Sequence, residues 1–138
     1  MKRFQGTESG YFVAVFKASA DIEVLPDILV YRFEDTQLPL EWLKEQVGGF
    51  IEIVRPDYGR NAYLCCNDNA IIDGLPFNFY ASLIYSNGRF SVCGDCVLGC
   101  DFDTVPFFEP DMYAAPAWWL RDYLASLGFL SRAYLVEE

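Results

Sequence analysis

The chain has 138 residues, of which 53% are hydrophobic and 17% aromatic, a composition typical of one globular domain that buries its own core. Its formal charge of −10, from 20 carboxylates against 10 bases, argues against a nucleic-acid binder that uses clusters of Lys and Arg. The absence of histidine excludes imidazole-based catalytic triads and most catalytic zinc sites. Because no apolar run approaches the roughly 20 residues of a membrane-spanning helix and the first residues lack a signal-peptide pattern, we expect a cytoplasmic protein of a bacterial host.

Two strands are predicted in the first forty residues. Tyr11–Lys17 and Asp27–Phe33 have the β-branched and aromatic content of strands, and the residues between them supply turn chemistry at Pro26.

A short helix that runs directly into a strand is predicted next. Apolar residues recur at helical spacing from about residue 39 to 47, and Gly48-Gly49 closes the helix, because glycine accepts the left-handed conformation at a helix C-terminus. The strand at 50–55 alternates, with Ile51 and Ile53 on one face, and 62–66 is its expected antiparallel partner.

The second half of the chain is harder to divide into elements. Residues 70–76 predict a brief extended piece, 77–86 fits a short helix as well as a strand, and 90–98 predicts a strand interrupted at Gly94-Asp95. A final helix is predicted at about 116–127. Its expected buried face consists of Ala117, Leu120, Leu124 and Leu127.

The predicted architecture is an α+β fold in a single domain, 1–138, with no linker or repeat. We expect a mixed or mostly antiparallel sheet, with the short central helix and the C-terminal helix packed on it.

The segment from about 28 to 100 resembles an uncharacterised domain family of phages, plasmids and Gram-positive bacteria. The resemblance rests on Val47-Gly48-Gly49, the turn at Asn67-Asp68, the run 74–78 (Gly-Leu-Pro-Phe-Asn) and Gly94-Asp95. Members of that family typically read VGGYIE, then an N-D/E turn, then GLPPN, then a GD strand. Here Phe77 replaces the second proline, the arginines that often follow the motif are absent, and the cysteines are not part of the family pattern.

The resemblance implies a context and no established activity. Such domains occur in accessory proteins of mobile elements, and small acidic accessory proteins of phages frequently inhibit host defence nucleases by occupying basic nucleic-acid channels. By this analogy we expect a non-enzymatic protein with no cofactor. Its expected partner is a host defence protein with a basic nucleic-acid-binding surface, as in CRISPR–Cas or restriction systems, and the chain itself binds neither nucleic acid nor membrane.

The expected partner-binding surface lies in the acidic and aromatic segment after Gly94, where about residues 101–138 form an extension beyond the family-like part. Carboxylates there can imitate the phosphate spacing of DNA, and aromatic side chains anchor interfaces. Since two adjacent tryptophans cannot share one helical face, we expect one of them to lie partly outside or to be covered by 129–136. The predicted contact residues are Asp95, Asp101, Asp103, Glu109, Asp111, Phe107, Phe108, Trp118 and Trp119.

Two other site hypotheses remain open. The first is a zinc-stabilised scaffold, because the Cys93–Cys96 spacing allows a thiolate knuckle; its candidate ligands are Cys66, Cys93, Cys96 and Cys100. Buried core cysteines and a redox pair are the alternative interpretations. The second is a small enzyme or ligand-binding domain with a pocket near Glu52, Asp73 and Asn78, where paired carboxylates could do acid–base work.

Overall fold

The computed structural model describes residues 1–21, 23–59, 61–101 and 112–137. In this part of the chain, three helices pack on a mostly antiparallel, open eight-stranded sheet, which confirms the α+β prediction for a single domain. The strands are β1 Lys2–Arg3, β2 Tyr11–Phe16, β3 Ile28–Phe33, β4 Ile51–Val54, β5 Ala62–Asn67, β6 Cys96–Cys100, β7 Ala115–Pro116 and β8 Ala133–Leu135. The helices are α1 Leu40–Val47, α2 Phe79–Ser86 and α3 Ala117–Ser126, with a 3-10 turn at Leu130–Arg132.

The strand order across the sheet is β1-β8-β3-β2-β6-β5-β4, with β7 added to β2. Among the strand pairs of the described residues, β3–β8 alone is parallel and the others are antiparallel. β2 lies at the centre, where its residues alternate strictly between the two faces of the sheet. Because both faces are covered by helices, every residue of β2 from Phe12 to Phe16 is buried.

The two faces of the sheet carry different helices. Phe12, Phe16 and Leu98 point to a core shared with α2 and α3, whereas Val13 and Val97 point to a smaller core under α1. The central and C-terminal helices predicted from the sequence therefore pack on opposite faces. No helix in the described part of the chain has both the length and the apolar character needed to cross a bilayer.

The predicted helix–strand joint is present. α1 ends at Gly48, whose φ of 79° is left-handed and whose N–H donates to the carbonyl of Lys44 at 2.8 Å. β4 begins three residues later. In α1, Leu43 and Val47 are buried as predicted, but Leu40 is exposed.

Two element predictions differ from the structure, and one that was left open is decided. Residues 70–74 are turn rather than extended chain, and the segment 77–86, which fitted either a helix or a strand, contains helix α2. The strand predicted at 90–98 begins only at Cys96, because Gly94 takes a φ of 81° that breaks the extended backbone. The C-terminal helix is correct, but Leu127 is only half-buried and caps the helix instead of extending its buried face.

Candidate binding groove

A groove of about 380 Å³ lies on the α2 and α3 face of the sheet, at the β4 edge. Glu52 and Val54 of β4 and Cys66 of β5 contribute from the sheet. The turn 67–72 forms one wall, and the C-terminal part of α2, at Tyr85, forms the other together with 91–93.

The alternation of β4 accounts for the floor of the groove. Ile51 and Ile53 share one face, as predicted, and pack against the α1 core, so Glu52 and Val54 take the opposite face. Glu52 is exposed there and Val54 is half-buried. A polar side chain on a strand at the edge of a sheet stays hydrated without leaving a buried charge unpaired.

The wall formed by residues 67–72 is fixed by one buried side chain. The Asn67 amide donates to the carbonyl of Val47 at 3.1 Å, and its carbonyl oxygen accepts the N–H of Asn69 at 2.8 Å. Asn67 therefore ties the turn to the end of α1. On this fixed turn, Ile71 and Ile72 are 75% and 85% exposed.

Exposed carboxylates lie on the same strand and turn as these exposed apolar side chains. Phe50, which is 72% exposed, lies beside the turn, because its carbonyl accepts the N–H of Asp68 at 2.9 Å. Asp68 and Asp73 on the turn are both exposed, like Glu52 on the strand. This end of the molecule thus combines apolar side chains with negative charge. We call the set Phe50, Glu52, Asp68, Ile71, Ile72 and Asp73 the groove rim.

The outer edge of β4 also presents backbone groups. Within the described residues the sheet ends at β4, which pairs with β5 alone. Since Phe50 is hydrogen-bonded to Asp68, the antiparallel alternation turns the backbone of Glu52 toward β5 and that of Ile51 and Ile53 away from it. The N–H and C=O groups of Ile51 and Ile53 therefore point out of the sheet edge.

The predicted partner-binding acids do not form one surface in the described residues. Asp95 is partly exposed and is held by Lys17 at 3.1 Å and by the N–H of Ala18 at 2.8 Å. Asp101 is buried, at 3% exposure, and pairs with Arg55 at 2.6 Å. Its carboxylate therefore faces Arg55 instead of a partner. Asp103, Phe107, Phe108, Glu109 and Asp111 lie outside the described residues.

The tryptophan pair is divided between surface and core. Trp118 is 53% exposed, whereas Trp119 is buried and stacks on Tyr123 with ring centroids 5.2 Å apart. The hydroxyl of Tyr123 donates to the carbonyl of Tyr58 at 2.7 Å, and burial raises the pKa of Tyr123. Trp118 is thus the member of the pair that can contact a partner.

The four cysteines proposed as zinc ligands do not converge. Cys66 and Cys96 face each other with sulfur atoms 3.7 Å apart, but among the described residues no group of three Cys, Asp or Glu side chains is placed to hold a metal ion. Cys93 is half-buried at the groove wall, and Cys100 is buried in the α2 and α3 core. The hydrogen bond that the Cys96 thiol donates to the Cys66 sulfur, together with burial, raises the pKa of Cys96, which favours a protonated thiol.

The pocket predicted near Glu52, Asp73 and Asn78 is only partly present. Glu52 lines the groove, but Asp73 stands outside its lining and Asn78 is fully buried. Ile71, Ile72 and Tyr85 were not predicted as site residues. The available signal was an adjacent isoleucine pair directly after the turn-forming run Asn67-Asp68-Asn69, because apolar residues in a surface turn are easily left exposed.

Several residues of the motifs that carry the family resemblance, namely Val47, Gly48, Leu75, Pro76, Gly94 and Asp95, line another hollow of about 350 Å³. Gly94 donates its N–H to the carbonyl of Pro76 at 2.7 Å, and the Asn78 amide donates to the carbonyl of Gly94 at 2.9 Å. The motifs therefore hold each other in place. The hollow is lined by Lys17, Ala18, Glu45, Gln46, Val47, Gly48, Leu75, Pro76, Gly94 and Asp95.

Comparison with known proteins gives one family and no characterised relative. The profile of a family described as "Domain of unknown function (DUF3846)" matches residues 24–112, which is more than half of the chain. Neither a curated protein nor a solved structure gave a significant match.

Proposed function

The chain belongs to the DUF3846 family, whose function is unknown, and on that premise we propose that it is a non-enzymatic acidic binding protein. In this proposal the protein is of phage or mobile-element origin and acts in the cytoplasm of the bacterial host. It inhibits a nucleic-acid-dependent defence system, CRISPR–Cas or restriction, by binding a basic surface of a defence protein.

The groove rim is the observation that carries the proposal. Three large apolar side chains, Phe50, Ile71 and Ile72, are more than two-thirds exposed beside three exposed carboxylates. Apolar side chains bordered by charge are the usual anatomy of a protein-binding surface. Because the charges are negative, the complementary partner surface is basic.

The ion pairs of the described residues involve carboxylates other than those of the groove rim. Lys17, Arg32, Lys44, Arg55, Arg89 and Arg121 each pair with an Asp or Glu of the same chain. Each of these pairs is neutral, so most of the basic side chains are already offset internally. The carboxylates at the groove rim are in none of these pairs and contribute to the net charge of −10.

Inhibition would follow from competition for a basic channel. A channel that binds the phosphates of DNA attracts carboxylates by the same long-range field, and this attraction speeds association and weakens with added salt. The apolar side chains of the rim would then hold the complex after encounter. An extended partner segment could add to the edge of β4 through the backbone groups of Ile51 and Ile53.

The test is a DNA-cleavage assay with purified restriction enzymes and CRISPR–Cas effector complexes. The wild-type protein should inhibit at least one of them, less strongly at 0.3 M than at about 0.05 M salt. The triple variant E52Q/D68N/D73N should inhibit at least ~10-fold less, since each lost charge pair at an interface costs on the order of 1 kcal/mol.

The matched control carries the same change in charge away from the groove. The variant E23Q/D27N/E137Q neutralises three exposed acids and should inhibit like the wild type. Absence of inhibition of every enzyme tested would refute the proposal, and equal loss in the two variants would refute the groove rim as the contact surface.

A second candidate function is supported by the shape of the groove. A concavity of about 380 Å³ lined by Asn67, Asn69, Tyr85 and Ser91 has the size and mixed polarity of a small-molecule site. Screening metabolites by thermal shift should then reveal a ligand that raises Tm in the wild type and not in Ser91→Trp, which fills the groove. If no metabolite raises Tm, the groove binds none of the metabolites screened.

A further inference from the structure

Two cysteines of neighbouring strands face each other beneath the groove. Cys66 lies near the end of β5 and Cys96 begins β6, and their sulfur atoms are 3.7 Å apart. The thiol of Cys96 also lies 3.5 Å from the carbonyl of Gly94. Both side chains belong to the core on the α2 and α3 face, and Cys66 also lines the groove.

The sheet register explains why these two side chains meet. Cys65 pairs with Val97, so the antiparallel continuation places Cys66 opposite Cys96. The N–H of Asp68 donates to the carbonyl of Phe50, so by the antiparallel alternation the backbone groups of Cys66 also point to β4. Cys66 and Cys96 are therefore opposite each other as a pair without backbone hydrogen bonds between them. In such a pair the Cα atoms are only about 4.5 Å apart, which is within the range that a disulfide spans.

The other three cysteines are not placed to form a disulfide with Cys66 or Cys96. Cys65 points to the opposite face of the sheet, into the α1 core, where burial raises its pKa to about 12. Cys100 lies four residues along β6, opposite Ala62. Cys93 precedes β6 and pairs through its backbone with Phe77. The register therefore selects Cys66 and Cys96 alone as cross-strand partners.

We propose that Cys66 and Cys96 form a disulfide when the folded protein meets a low-molecular-weight disulfide as oxidant. The thiolate of Cys66, which the groove makes reachable, attacks one sulfur of the oxidant; the first thiolate leaves and takes up the proton that Cys66 lost. The thiolate of Cys96 then attacks the Cys66 sulfur, and the second thiol leaves in the same way. Two electrons pass from the protein to the oxidant, which is reduced to two thiols.

The environment of Cys96 should slow the second step of this reaction. Because the neighbouring thiol and burial raise the pKa of Cys96, few molecules carry its thiolate at neutral pH. Oxidation should therefore be slow at neutral pH and accelerate as the pH rises. The bond would close the loop 66–96, which contains α2 and the motif residues 74–78, and so restrict the unfolded chain.

The test uses the wild-type protein and oxidised glutathione under native conditions. After oxidation, the remaining free thiols are alkylated in denaturant and the protein is mapped without reduction. The map should show one cross-link, between Cys66 and Cys96, and should show Cys65, Cys93 and Cys100 in alkylated form. The oxidised protein should have a Tm at least ~5 °C higher, and dithiothreitol should reverse the rise.

Single-cysteine variants supply the controls. Cys66→Ser and Cys96→Ser should show neither the cross-link nor the rise in Tm, whereas Cys93→Ser, at the groove wall, should show both. The proposal is overturned if Cys66 and Cys96 remain alkylatable, if the cross-link involves another cysteine, or if oxidation stops at a glutathione adduct of Cys66. Since none of these readouts requires a partner, the result is independent of the proposed function.

Discussion

Asn78, the last residue of the Gly-Leu-Pro-Phe-Asn motif, joins three elements through one side chain. Its carbonyl oxygen accepts the N–H of Ala81 and caps α2, and its amide donates to the carbonyls of Phe16 in β2 and Gly94 before β6. The side chain is fully buried and its hydrogen bonds are 2.7 to 3.0 Å long. Only an amide supplies both an acceptor and two donors in this small volume.

Replacement of Asn78 by alanine should destabilise the protein severely. The variant leaves a helix N–H and two buried carbonyls each short of a partner, which should lower the free energy of unfolding by about 3 kcal/mol or more. Urea denaturation at pH 7 measures the change. Asn69→Ala is the control, since Asn69 is exposed, and should stay within about 0.5 kcal/mol of the wild type. A loss under 1 kcal/mol for Asn78→Ala would show that solvent or other backbone groups replace the hydrogen bonds of the Asn78 side chain.

The sequence supplied the identity of this residue but not its role. From the sequence, Asn78 was expected in a candidate pocket with Glu52 and Asp73. The carbonyls that it binds lie 62 and 16 residues away in the chain. Contacts at such separations depend on the register of the sheet, which no local pattern encodes.

At the scale of elements, the motifs of the family resemblance form joints. One joint fastens the end of α1 to the turn after β5 through Asn67, and the other fastens residues 75–76 to Gly94. The local signals for the first joint were strong, because an apolar helical stripe followed by two glycines specifies a helix end. α1 and β4 were accordingly predicted to within one or two residues.

The two joints should respond differently when their glycines gain a methyl group. At Gly48 an added Cβ has open space, so Gly48→Ala should cost about 1 kcal/mol, the price of a left-handed φ for alanine. At Gly94 the φ is equally left-handed, and a Cβ would also lie 2.9 Å from Cδ1 of Leu75, so the cost should exceed ~2 kcal/mol. Urea denaturation of the two variants compares them. Equal costs would mean that the 75–76 loop moves aside.

Short strands were the elements that the sequence could not reveal. β1, β7 and β8 have two or three residues each, too few for a period of two to be recognised. These segments are extended because each pairs with a neighbouring strand of the sheet. The groove was missed for a related reason: its walls come from β4, the 67–72 turn and α2, and only the folded sheet brings these together.

For the whole molecule, the sequence family and the folding unit have different boundaries. The family match covers residues 24–112, yet β2, at residues 11–16, lies outside it and occupies the centre of the sheet. β2 pairs with β3 on one side and β6 on the other, both within the match. Removing it would expose two unpaired strand edges and open both cores.

A fragment of residues 24–112 should therefore not fold alone. Its circular dichroism and amide NMR dispersion should be those of an unfolded chain at 20 °C, whereas the full chain should show a cooperative thermal transition. The control is a chain from residue 9 that keeps β2 and everything after it. A cooperative transition in the 24–112 fragment would show that the family region closes its sheet without β2.

The position of β8 bears on how quickly the native state can form. β8 lies between β1 and β3. Residues 133–135 must therefore pair with residues 2–3 and 28–30 before that side of the sheet can form. Closing loops of about a hundred residues carries an entropy cost that is repaid only after the strands have paired, and chains dominated by such distant pairings fold in milliseconds to seconds. During that interval β3 presents an open edge to any other chain nearby. We therefore expect the chain to be most prone to aggregation before β8 has paired with β3.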